Sequence, residues 1–137
     1  MNTKQWVLGA VIGAVVLYAV GYVLFDVLLK DFYGSNVGSA TGVYRESQIL
    51  WAVGVGALAY AALIIYALRG SAGSLNVASG ARTGAIVGAL IWACADFTLF
   101  GISNINTLTL AIADPVVELV RGGITGAVMA AVLPKLA

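Results

Sequence analysis

Few side chains in this 137-residue chain could do chemistry, and most of them fall together. Asp114, Glu118 and Arg121 are spaced i, i+4 and i+7, so a helix puts all three on one face. Asp96 stands one apolar segment earlier, followed by Thr98, Asn104 and Asn106. Asp26 adds a further carboxylate near the end of the first apolar run. Carboxylates beside a guanidinium suit two kinds of work. Asp96 or Glu118 could act as an acid or base, and Arg121 could hold a phosphate or carboxylate. Arg121 can also simply pair with Glu118 on its own helix or bridge to Asp96 on the preceding one.

The rest of the inventory excludes much. With no histidine, the chain lacks the commonest general base and the commonest ligand for zinc, copper or haem. Cys94 is the single cysteine, which leaves no internal disulfide and no multi-cysteine metal site. Phosphate loops and Ser-His pairs are missing too, so neither cofactor nor metal is expected. A net charge of +1 gives no basic footprint for nucleic acid.

These groups must be positioned by elements that live in lipid. Hydrophobic residues make up 61% of the chain and charged residues 9%, with mean hydropathy +1.01. A soluble domain carries about 25% charged residues, so this surface is too apolar for water. Four runs reach the roughly 20 residues that cross the hydrocarbon. They are Gln5 to Leu29, Ser47 to Leu68, Ala81 to Ile102, and a last one starting between Leu108 and Pro115 and ending near Leu133. Lipid forces each to satisfy its own backbone, so each is a helix. The fold expected is all-α: a single transmembrane domain over 1–137, four spans in a compact bundle. The first run continues past Tyr22, longer than a signal-peptide core, and reads as a retained span.

Lys and Arg set the orientation. Lys4, Arg69, Arg82 and Lys135 fall on one side with no acid, which places both termini in the cytoplasm. All six acids fall on the outer side or in the outer half. Asp96 is about 15 residues into its span, roughly 22 Å along it. The link from Arg69 to Gly80 is rich in Gly and Ser and reads as a flexible loop. Phe32, Tyr33 and Tyr44 in the link before the second span suit the membrane interface.

Helices in lipid associate through small residues. Gly9 and Gly13, Gly84 and Gly88, and Gly122 and Gly126 stand at the required spacing. The Gly-Ala run from Gly9 also resembles the one from Gly84, which a duplicated helical hairpin would produce.

Two readings of the charges remain. A charge in the membrane core costs about 2.5–3.5 kcal/mol, so such residues face the bundle interior and find partners. In one reading Asp114-Pro115 caps the fourth helix and Arg121 neutralises Glu118 and Asp96 as an internal clamp. In the other, the same cluster with Thr98, Asn104 and Asp26 lines a polar cup for a headgroup, ion or small ligand.

Parts of the chain resemble the small four-helix bacterial membrane proteins catalogued as domain of unknown function 2177. The likeness lies in Phe32-Tyr33, in Asp96-Phe97-Thr98 and in Asp114. Leu99 departs from the family's Asn, and Val117-Glu118 stand where a Trp-Gly pair is expected. The resemblance implies a bacterial inner-membrane location and no established activity. The function expected first is a non-enzymatic subunit or binding module. Its partners would be membrane lipid and a second copy or another membrane protein. The alternative is a lipid-binding or lipid-modifying protein with a cavity between the third and fourth helices. Ion-coupled transport fits least, because the inner half offers no polar path.

Overall fold

The computed structural model describes residues 1–70 and 75–137, and every regular element among them is a helix. Helix α1 (Thr3–Gly21) passes directly into a π-helical stretch, Tyr22–Leu28. A short α2 (Lys30–Ser35) follows, then α3 (Leu50–Arg69), α4 (Val77–Ile102) and α5 (Leu108–Val132), closed by a 3₁₀ turn at Leu133–Leu136. Four of these helices are long and apolar enough to cross a membrane. Valines and tyrosines of α1, leucines of α3 and α4 and isoleucines of α5 stand exposed around the bundle. In water that surface would be a large unpartnered patch; in lipid it is the natural exterior.

The helix starts explain the boundaries. Asn2 and Gln5 close a capping box on α1, and Asn76 with Ser79 closes one on α4. That second box starts α4 at Val77, four residues before the sequence-based boundary, and shortens the link expected as a loop from Arg69 to Gly80. The centre of that link, residues 71–74, lies outside the described residues. Helix α5 corrects the capping expectation. Thr107, not Asp114, is its N-cap, accepting from the Leu110 amide at 3.2 Å. Asp114-Pro115 therefore sits inside the helix. Pro115 forfeits one bond to the Ala111 carbonyl, and Asp114 is freed to point at the bundle.

Packing is uneven along the bundle axis. At the end holding both termini, Leu17, Tyr60, Ala61, Ile64, Ile65, Leu68, Met129 and Leu133 form a closed core. Gln5 Nε2 donates to the Leu133 carbonyl at 2.9 Å and ties the two terminal helices together there. Helices α4 and α5 touch backbone to backbone. A Cβ on Gly84 would land on the Gly122 carbonyl, and one on Gly80 on the Gly126 carbonyl. Gly9 packs against Leu133 and Ile65, and Gly13 against Met129 and Ala61.

The opposite end is looser. Leu50 through Gly56 of α3 are all exposed, and Gly54 and Gly56 have open space where a Cβ would be. Helix α3 thus leans on α1 but leaves α4 and α5 over its first half. The link after α2 is held instead by α4–α5. Gly38 and Ala40 amides donate to the Ile105 and Asn104 carbonyls, and the Thr107 hydroxyl donates to the Asn36 carbonyl at 2.7 Å.

Candidate functional site

The charges gather where the packing changes from closed to loose. Glu118 is fully buried on α5. Arg121, one turn on, donates from Nη1 to Glu118 Oε1 at 2.8 Å. Tyr60 of α3 donates to Glu118 Oε2 at 3.0 Å. Arg121 Nε donates to the Leu17 carbonyl of α1 at 2.9 Å. The guanidinium also lies over the rings of Phe25 and Tyr60, 5.7 and 5.8 Å from their centroids. One ion pair therefore joins α1, α3 and α5, with both Glu118 oxygens bonded and Arg121 reaching the lining of the neighbouring cavity.

Glycines make room for this network. A Cβ on Gly21 would meet the Arg121 side chain at 3.0–3.1 Å. A Cβ on Gly88 would strike the Tyr60 hydroxyl and the Glu118 carbonyl, and one on Gly122 the Gly84 carbonyl. The glycine stripe that brings α4 onto α5 also admits the phenol of α3.

A second acidic pair lies one turn nearer the loops. Asp96 of α4 is 4% exposed and lies against Asp114 of α5. Asn106 donates to Asp96 Oδ1 at 3.1 Å, while Asp96 Oδ2 is buried with no partner. The Tyr33 hydroxyl of α2 donates to Asp114 Oδ1. Burial, and then the Asp114 carboxylate it bonds, push the Tyr33 phenol well above its ordinary pKa, so it stays a donor. No ion pair reaches Asp96 or Asp114 among the described residues.

Beside these groups lies a cavity of about 690 Å³. Its apolar walls come from the splayed half of α3, including Val53, Gly56 and Ala57. Its rim carries Tyr18, Phe25, Tyr33, Tyr60 and Trp92, with Asp114 and Arg121 as the charged groups. Trp92 Nε1 is buried without a hydrogen-bond partner. Cavities of this size, mostly apolar with a few convergent polar groups, are the usual form of a small-ligand site.

The structure thus brings together Asp96, Asp114, Glu118 and Arg121. Arg121 bonds Glu118, and no bond to Asp96 forms. Asp26, Thr98 and Asn104 are exposed, outside this cluster. Asn106 takes the place expected of Asn104 as the amide beside Asp96. The cavity is bounded by α1, α2, α3, α4 and α5, wider than the gap between the third and fourth spans that was expected. Tyr33, read in the sequence as an interface aromatic, and Tyr60, not singled out there, both serve the acids through their hydroxyls. The available signal was a hydroxyl-bearing ring at mid-span for Tyr60. No three metal-ligating side chains cluster among the described residues.

Comparison with family models, with curated proteins and with solved structures finds no match to this chain.

Proposed function

We propose that this chain is a non-enzymatic, membrane-embedded binding module. Its cavity receives the apolar part of an amphiphile from the bilayer, and the polar rim holds the headgroup. The observation that carries this reading is the cavity itself: an apolar chamber of about 690 Å³ with Asp114 and Arg121 as the charged groups on its lining. Such a chamber suits an apolar chain, and its few polar groups suit a headgroup. The exposed first half of α3 supports entry from the side, where lipid lies.

The cluster beneath is a clamp in this reading. Both oxygens of the buried Glu118 are taken, one by Arg121 and one by Tyr60, which leaves it no role as acid or base. A lipid-modifying enzyme with Glu118 as its acid or base is therefore disfavoured. The basic residues Lys4, Arg69, Arg82 and Lys135 near the terminal end favour cytoplasmic termini. The short motifs shared with the small bacterial four-helix family favour the inner membrane.

Trp92 reports on the cavity directly. With Trp6→Phe and Trp51→Phe, it is the only tryptophan left. In bilayers of lipids brominated along the acyl chain, its fluorescence is expected to be quenched, and Gly56→Phe, which fills the chamber, should relieve that quenching. Quenching that is absent, or unchanged by Gly56→Phe, contradicts lateral entry.

A further inference from the structure

We infer that the cavity selects a lipophilic cation, an amphiphile bearing an ammonium group, with Asp114 and the free aromatic faces as its headgroup site. This rests on the cavity being a ligand site, and it assigns the charge of what enters.

Three carboxyls, Asp96, Asp114 and Glu118, lie near one another, and the one guanidinium among them pairs with Glu118. Arg121 also donates to the Leu17 carbonyl and lies over the rings of Phe25 and Tyr60. Asp114, which lines the chamber, receives only the neutral Tyr33 hydroxyl and the neighbouring acid. Asp96 behind it has one amide and one empty oxygen. The formal charges of these four side chains, three negative and one positive, sum to −2, and Asp114 is the acid among them that lines the chamber. In a low-dielectric site that excess dominates, because Coulomb energies grow as solvent screening falls. An anion would face that excess, and the one guanidinium on the chamber is already paired with Glu118.

The rings reinforce the sign. Tyr18, Tyr33 and Trp92 line the cavity without a cation on them, whereas Phe25 and Tyr60 already carry one. Ring faces are negative and attract ammonium groups, most strongly when desolvated. Carboxylate, aromatic faces and an apolar chamber together complement a hydrophobic ammonium ion better than a phosphate or fatty acid.

The experiment compares three probes of one chain length in bilayer nanodiscs: decyltrimethylammonium, decylsulfonate and decanol. Binding is read from Trp92 in the single-tryptophan protein, per molecule partitioned into the bilayer. The ammonium is expected to bind about tenfold more tightly than the sulfonate, a preference of the size that cation–π contact and one nearby carboxylate give. Asp114→Asn should abolish the preference while decanol still binds. Sulfonate binding as tight as ammonium, or a preference unchanged in Asp114→Asn, overturns the cation assignment but leaves the cavity as a ligand site. If none of the three binds, the ligand site itself falls. The wild-type comparison decides the sign even where Asp114→Asn does not fold.

Discussion

Glu118 and Arg121 illustrate how much a single pair can be asked to do in lipid. The carboxylate is 0% exposed and reaches no water, so its two oxygens depend on Arg121 and Tyr60. Removing one member of a buried pair leaves the other charge uncompensated, at about 3–5 kcal/mol. Arg121→Ala should therefore destabilise the bundle by that order in an equilibrium unfolding titration. Adding Glu118→Gln should restore most of the loss, while adding Asp96→Asn should restore little, because Asp96 is not bonded to Arg121. Equal rescue by both would show that the guanidinium serves the whole acidic cluster. Tyr60→Phe removes the donor to Oε2 and should cost about 1–3 kcal/mol. The spacing of Glu118 and Arg121 made their pairing legible from the sequence. Tyr60 and Tyr33 were not legible as partners, since they are 58 and 81 residues from the acids they bond. Only tertiary packing brings them there.

Helices were legible because apolar length alone decides them in a bilayer. Their ends were less so. Asp-Pro is a strong start signal, yet Thr107 outcompetes it by capping α5 two turns earlier. Thr107→Ala should accordingly cost about 1 kcal/mol, with amide exchange rising at the start of α5. Asp114→Asn should leave that exchange unchanged; if exchange rises instead, Asp114 is the working cap. The π-helical Tyr22–Leu28 had no sequence mark, although it carries Phe25 to the ring of Tyr33, 5.1 Å away, and under Arg121. Such wide turns recur at functional sites, where they redirect a side chain. Glycines divide by what they meet. Gly84→Ala would push α4 off the Gly122 carbonyl and should cost about 1–3 kcal/mol by overpacking. Gly54→Ala faces open space and should be neutral or stabilising by up to about 1 kcal/mol through helix propensity. Thermal unfolding of the two variants side by side checks the contrast. Spacing separates the two in sequence: Gly84 has Gly88 one turn on, whereas Gly54 has Leu50 and Leu58 one turn to either side.

At the scale of the whole molecule, two halves of one bundle do different things. The end with the termini is packed shut by leucines, isoleucines and Met129. The loop end is held open because α3 parts from α4 and α5 above Tyr60, and the chamber of about 690 Å³ is the result. A cavity is a property of how helices diverge, so the residue pattern suggested only a gap between the third and fourth spans. The acids of α4 and α5 were visible in the sequence; the walls that α1, α2 and α3 give the chamber were not. The Glu118–Arg121 clamp marks the floor of the chamber and fixes α1, α3 and α5 around it, which allows the loop end to stay open without the bundle falling apart. Native mass spectrometry of the protein released from its own membrane, beside the Gly56→Phe variant, decides whether the chamber is a ligand site. A small amphiphile should be retained by the wild-type chain and absent from the equally folded variant. A wild-type chain that carries nothing, or a variant that carries the same molecule, would contradict that assignment.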